Sequence, residues 1–301
     1  MLVDTHGHVS FQAFKDDADV VLKRALQNNT WVIMPGTQFS TSQKAVEMAG
    51  HYPEGVYVAI GLHPIHLAEK RRVDVLEVQS ENVQKQDWMV FETKAEEFDY
   101  EKYKTLGQSK KVVAIGEFGL DYYYEPKSKA QREAQRMQQK TTLALQLKLA
   151  EELQLPIILH CRKAHEDLLE ILQARKQKMR GVVHCYTGDL KQAEQFYNLG
   201  LYFGFNGLIF KDVPALPNPE EIISSIPLDR IVLETDSPYL VPPLARHSPD
   251  GKRDEGGPPV ERNEPLFVRY IAEEIARIKK ISVEEVAKVT TQNAKTLFGL
   301  K

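Results

Sequence analysis

Cysteine is almost missing from this 301-residue chain. Its two, Cys161 and Cys185, are too few to staple a small disulfide scaffold. Each directly follows a histidine. If that histidine faces a site, alternation along a strand turns the thiol into packing, so both are expected as buried, reduced thiols. An excess of basic charge is missing too. Lys and Arg number 39 against 42 Asp and Glu, for a formal charge of −3. That balance excludes the broad positive surface that holds long duplex DNA by counterion release, so any phosphate contact must be local. No apolar run approaches the ~20 residues of a membrane span, and no charged segment followed by an apolar stretch opens the chain. A cytoplasmic location, no membrane partner and no obligate protein partner are the expectations. Repeats and low-complexity tracts are absent, and 42% hydrophobic with 27% charged residues describes a chain that buries a large core.

What is present is a series of short β-rich apolar runs: LVDT 2–5, WVIMP 31–35, VYVAIGL 56–62, VVAIG 112–116, PIILH 156–160, GVVHC 181–185, LYFGF 201–205 and RIVLET 230–235. Between most of them lie stretches of helical period such as DDADVVLKRALQNN and QQKTTLALQLKLAEELQL. Continuous apolar strands alternating with helices are parallel strands buried on both faces. Eight of them predict a TIM-like (β/α)8 barrel, one domain over 1–301 whose wall can be distorted or incomplete; a doubly wound open sheet is the runner-up. Two stretches break the spacing. About fifty residues separate GLHP from VVAIG, implying an insertion at about 73–107, and the Pro- and Gly-rich segment at about 242–262 reads as a long rim loop after the last strand. The tail from Glu264 reads as closing helices over the barrel wall.

Polar residues recur at the C-terminal ends of these runs: His6 and His8, His63, Glu117, His160, His184 and Asp236. In a barrel they meet at one mouth. Five of the nine histidines sit there, and imidazoles and carboxylates converging on one rim are costly to desolvate unless they bind cations. In an extended strand His6 and His8 share a face, with Thr5 and Gly7 on the other. The set is too large for one tetrahedral ion but suits two ions sharing a bridge. Glu117 is the natural bridge because a carboxylate offers two oxygens, with Gly116 and Gly119 allowing a tight turn beside it.

DTHGH, GLHP, GEFGLDYY, LHCR, HCYTG, ETDSPYL and RNEP occur in an order and spacing that resembles the TatD-like metal-dependent hydrolases, the TatD DNase family of the amidohydrolase superfamily, over residues 3 to about 299. The resemblance implies a dinuclear site with His6, His8, Glu117 and Asp236 around one metal and Glu117, His160 and His184 around the other. It places His63 and Arg162 within reach of a substrate phosphate. The family frequently has Cys where this chain has Gly7, a departure expected to be harmless because Gly7 faces away from the metals. The insertion and the rim loop bear on substrate choice, since barrel specificity resides in such loops.

The mechanism this suggests is phosphodiester hydrolysis by a metal-bridging hydroxide, with DNA or another phosphodiester as substrate and single-stranded ends favoured. Arg162, two residues after His160 and so on its face, would stabilise the phosphoryl charge. Asp236, beside the bridge, would accept the water's proton. Asp121 is expected to orient a ligand imidazole. Lys252, Arg253 and Arg262 on the final loop are further cations that could guide phosphates. Zn²⁺, Mn²⁺, Co²⁺ and Mg²⁺ stay open as the ions, the imidazoles favouring a borderline transition ion. Two other readings stand beside this one. The first is an amidohydrolase-type enzyme cleaving a C–N or C–O ester bond, such as a deacylase or lactonase; the second is a metal-binding barrel without turnover.

Overall fold

The computed structural model describes residues 1–68, 72–74, 90–175, 178–243 and 262–301. Eight strands form one parallel sheet: β1 (Leu2–Asp4), β2 (Thr30–Pro35), β3 (Val56–Ile60), β6 (Val112–Asp121), β7 (Ile157–Arg162), β8 (Gly181–Val183), β9 (Tyr202–Phe205) and β10 (Ile231–Leu233), in that order around the wall. Each falls on one of the eight apolar runs. Helices α1 (Ala18–Gln27), α2 (Phe39–Ala49), α3 (Tyr100–Leu106), α4 (Lys129–Leu153), α5 (His165–Ala174), α6 (Leu190–Asn198) and α7 (Pro219–Ser225) alternate with the strands, as a (β/α)8 barrel requires. The wall is nearly closed. No ladder joins β1 to β10, but Thr5 N donates to Leu233 O (2.9 Å), Asp236 N to His6 O (2.8 Å) and His8 N to Ser237 O (2.7 Å) across that seam.

Two apolar layers fix the shape. Outward strand residues such as Val32, Val58, Ile115, Phe118 and Leu159 pack against the helices, while Val3, Ile33, Val182 and Val232 fill the barrel's lower interior. Each fully buried aliphatic side chain contributes about 1.5–3 kcal/mol. The tail divides its labour. Helix α8 (Val268–Lys279) lies on the wall through Val268, Ile271 and Ile275, whereas α9 (Val283–Phe298) closes the floor with Ala294, Leu297 and Phe298. A floor plugged by side chains leaves the opposite, C-terminal end of the strands as the open mouth.

Of the stretch at 73–107, the described part begins with an antiparallel ribbon, β4 (Arg72–Asp74) with β5 (Val90–Glu92). It ends in α3, which buries Tyr103 completely and lies in the sequence position of an ordinary crossover helix between β3 and β6. Tyr103 Oη donates to Gly61 O (3.2 Å) and Glu96 Oε1 (3.0 Å), and Glu96 accepts Phe39 N at the start of α2 (2.9 Å). The rim loop is described only at 242–243 and 262; Lys252 and Arg253 lie outside the described residues.

Helix α4 ends where Gln154 turns left-handed (φ 56°), just before Leu155-Pro156 starts the next strand. Its two buried glutamines, seven residues apart and so on one face, act on the mouth. Gln146 accepts Leu62 N (2.8 Å) and donates to Leu62 O (3.0 Å); Gln139 does the same for Asp121 (2.8 and 2.9 Å). Each amide replaces a missing ladder partner and fixes the chain that carries His63 or Asp121.

Candidate metal centre at the barrel mouth

Strand β1 ends at Asp4, so His6 and His8 lie beyond it rather than in it. They still converge, their Nε2 atoms 3.2 Å apart, because Gly7 bridges to Ser237 and keeps the segment extended along the seam. His8 Nδ1–H donates to Pro35 O (3.0 Å), which turns the Nε2 lone pair toward the centre. Gly7 does face away from the centre, but its position is tight: a Cβ there would come within 2.7 Å of Asp4 Oδ2 and 3.0 Å of Ser237 Oγ. A Cys at Gly7 would therefore need its neighbours to move. Asp4 is itself a seam clip, accepting Thr235 N (2.8 Å), Thr235 Oγ1 (2.6 Å) and His6 N (3.2 Å). Burial pushes its carboxyl up to about 7 in spite of those donors.

Glu117 reaches the centre through a β-bulge. The β6–β7 register shifts between Ile115 and Phe118, both of which pack outward, and the extra residue swings Glu117, Gly119 and Asp121 inward. Gly116 and Gly119 are thus not turn residues, since β6 runs unbroken to Asp121. They permit close approach: a Cβ on Gly119 would lie 1.9 Å from His160 O, and one on Gly116 would lie 2.6 Å from Ile158 Cβ.

The residues meet as follows. Glu117 Oε2 lies 3.2 Å from His6 Nε2 and 3.8 Å from His8 Nε2, while Oε1 lies 2.9 Å from His160 Nδ1, 3.5 Å from His63 Nε2 and 3.9 Å from His184 Nε2. Asp236 Oδ1 is 3.4 Å from His8 Nε2 and 3.9 Å from both His6 and His184. His6 stacks on His184 with ring centres 3.5 Å apart. Among the described residues three groups are close enough to share an ion: His6, His8 and Asp236; His6, His184 and Glu234; and His63, Glu117 and His160. His63, read from the sequence as a substrate contact, stands as near Glu117 as the ligand candidates do, its Nδ1 accepting Ile65 N (3.1 Å).

Electrostatics agree with a cation site. Burial, then His184, lowers His6 to about 4, leaving a bare lone pair. Burial raises the Glu117 carboxyl, but His63, His6 and His160 outweigh it and hold it well below the usual carboxylate range. Burial lowers His160, yet Asp121 and Glu117 raise it to about 9; Glu234 and Glu117 likewise carry His184 to about 10. Ring nitrogens 3.2 Å apart beside two carboxylates form a nitrogen-and-carboxylate donor set that suits a divalent metal.

Asp121 Oδ2 lies 3.3 Å from His160 Nε2, placed to orient that ring from behind. Glu234 does the same for His184, accepting Nδ1–H (2.8 Å) and Cys185 N (3.0 Å). Sequence reasoning passed over Glu234. Its signal was available, because it is two residues before Asp236 and so shares that residue's face. Gly204 makes its space: a Cβ there would strike Glu234 Oε1 at 2.0 Å. Asn263 of RNEP is a second such residue. Its Nδ2 donates to the carbonyls of Thr235 (2.9 Å), Tyr239 (2.7 Å) and Leu240 (3.2 Å), gripping the turn that holds Asp236 at φ 57°.

The cations divide. Arg162 lies on the rim with its guanidinium 3.6 Å from the Tyr123 ring centre and no ion pair among the described residues. Arg262 is committed elsewhere. It grips Asp17 in a fork (3.0 and 2.6 Å) and covers Phe14, so it fastens the rim loop's end to α1 and is not a free phosphate guide. Cys161 is buried, as expected; Cys185 is only half-buried.

A parallel eight-stranded barrel with histidines and carboxylates gathered at its C-terminal mouth defines a metal-dependent hydrolase. The chain belongs to the family described as TatD related DNase, whose model matches residues 3–299. It is 35% identical to the uncharacterized metal-dependent hydrolase YabD of Bacillus subtilis, over 100% of both chains. It is 33% identical to the 3'-5' ssDNA/RNA exonuclease TatD of Erwinia tasmaniensis, over 99% of this chain and 100% of that one. Among solved structures, the TatD homolog YJJV of Escherichia coli superposes with a TM-score of 0.73 at 28% identity, covering 100% of this chain and 98% of that one. No helix among the described residues is long and apolar enough to cross a membrane.

Proposed function

We propose that this chain is a two-metal phosphodiesterase that hydrolyses DNA from flexible single-stranded ends. One observation carries the reading: the two oxygens of Glu117 address different nitrogen sets, Oε2 facing His6 and His8 and Oε1 facing His160 and His63. A carboxylate that bridges two cations must do this. His6, His8 and Asp236 would hold one ion; His160 and His184 would hold the other, with His63 beside it. Zn²⁺, Mn²⁺ and Co²⁺ suit so many imidazoles better than Mg²⁺ does. Such ions, when bound, acidify a water into the nucleophile and neutralise charge on the phosphoryl oxygens.

The protein's own groups supply the rest. Burial raises the Asp236 carboxyl, but the His8 hydrogen bond and the His184 charge outweigh it and keep it ionised, the form that accepts a proton. Arg162, steadied on Tyr123 and unpaired with any described carboxylate, is free to take a phosphoryl oxygen. The near-neutral charge supports strand ends over duplex, and the relatives named as 3'-5' ssDNA/RNA exonucleases support the substrate class. We read 1–301 as one catalytic barrel that needs no protein partner.

The test is timed digestion of a labelled single strand and the matching blunt duplex with Mg²⁺, Mn²⁺, Co²⁺ or Zn²⁺. Faster single-strand cleavage is expected, and Arg162→Ala should slow it without changing metal content. Duplex cleaved equally fast would overturn the end preference. No phosphodiester cleavage with any of the four ions would favour a carbonyl-directed hydrolase instead.

A further inference from the structure

Asn206 stands one residue past β9, where alternation from Tyr202 through Gly204 sets it on the barrel side. Neighbouring strands carry His184 and Glu234 on that side. Asn206 is 1% exposed, and its side chain is half used. Oδ1 accepts Leu208 N (3.1 Å) and the Cys185 thiol (3.5 Å), whereas Nδ2 has no acceptor among the described residues. A second donor shares this condition: Lys211 Nζ is buried and has no hydrogen-bond partner among the described residues. Burial lowers it to about 8, as expected for an ammonium held without a counter-ion.

Both residues line one cleft of about 520 Å³. It begins at Cys185 and Gly204, which lie against His184 and Glu234, and runs outward between apolar walls that include Phe210 and Ile222. The carboxylates on its lining, Asp212 and Glu220, are exposed, and Glu220 is taken by Arg277. Both unpartnered groups are therefore donors, and one of them is a cation. A ligand that satisfies them must bring acceptors and negative charge, with an apolar part for the walls.

We propose that this cleft is a nucleotide subsite of the active site, in which Lys211 binds a phosphate of the nucleotide next to the cleaved bond and the Asn206 amide donates to an acceptor on its base or sugar. The assignment rests on the phosphodiesterase reading and names the residues that set substrate affinity on the β8–β9 flank.

The experiment measures equilibrium binding of deoxyadenosine monophosphate and of deoxyadenosine to the metal-loaded full chain. It compares wild type, Lys211→Met, Lys211→Arg and Asn206→Ser, with kcat and KM on a labelled single strand for each. Lys211→Met should weaken the monophosphate by about tenfold or more, the loss of a charge-assisted bond. It should leave deoxyadenosine binding and metal content unchanged and raise KM more than it lowers kcat. Lys211→Arg should restore most of the affinity. Asn206→Ser, which can still cap Leu208 N, should weaken both ligands. Wild-type affinity for the monophosphate in Lys211→Met overturns the subsite even if DNA is cleaved. Equal losses in the Met and Arg variants with lowered melting temperatures mark a packing role and overturn it too. If wild type cleaves no DNA while Lys211→Met still loses the monophosphate selectively, the phosphodiesterase reading fails and the phosphate subsite stands.

Discussion

At the β1/β10 seam no ladder joins the strands, and the ends bearing His6, His8 and Asp236 are tied by three separate backbone bonds and by side chains: Asp4 to Thr235 and His6, Asn263 to three carbonyls of the Asp236 turn. Across the mouth, β6 and β7 share a ladder from Ile115 to Asp121, bulged so that Glu117 faces inward, and the glutamines of α4 secure the loops around it. One half of the centre is set by a continuous ladder; the other rests on a few isolated backbone bonds and single buried side chains. A ladder spreads its constraint over many bonds, so losing one matters little, whereas a clip concentrates it. The seam is the half that single substitutions should loosen.

Glu117→Ala removes the group common to both halves and should have the largest effect. Both ions should be lost together and hydrolysis should fall about a thousandfold or more, while His160→Ala should mainly empty one site. Elemental analysis of the purified variants decides this, and two near-full sites in Glu117→Ala would remove the bridge.

Next in size is the contrast between Asp4→Ala and Gln146→Leu. The first strands Thr235 N–H and His6 N–H without an acceptor and leaves Thr235 O–H only the longer bond to His6 O (3.5 Å). At about 1–3 kcal/mol for each orphaned group, the expected loss is about 2 kcal/mol or more. The ion beside His6 and His8 should weaken with it. Gln146→Leu orphans only Leu62 N and O and should spare that ion. Urea unfolding with metal titration reads both, and equal weakening of the seam ion in the two variants would break the comparison.

A smaller effect is protonic. In the metal-free protein His160 and His184 keep a proton up to about 9 and 10, because Asp121 with Glu117, and Glu234 with Glu117, outweigh burial. Ligation needs a ring lone pair, so at pH 7 metal uptake should release up to two protons, and affinity should rise with pH until those values are passed. Calorimetry in buffers of different ionisation enthalpy measures the count. Uptake without proton release would show that both rings are already neutral.

The barrel and its mouth were legible because they depend on local pattern: apolar runs mark parallel strands, and a polar residue ending each run lies at the mouth whatever the loops do. What stayed hidden depends on contacts between distant segments. Gln139 and Gln146 look like solvent-facing helix residues until β3 and β6 end beneath them. Arg262 reads as a loose loop cation until Asp17 is found opposite, some 245 residues earlier. Gly7 looks free until Asp4 and Ser237 close around it. Glu234 and Asn206 differ: their places at the ends of apolar runs pointed to both, and a reading that collected histidines and the outermost carboxylates stepped over them.

The central claim, that Glu117 bridges two ions, is tested most directly by anomalous diffraction from crystals grown with Zn²⁺ or Mn²⁺. Two peaks are expected, one beside Glu117 Oε2 among His6, His8 and Asp236 and one beside Oε1 at His160. A single peak, or two peaks of which only one touches Glu117, would contradict it.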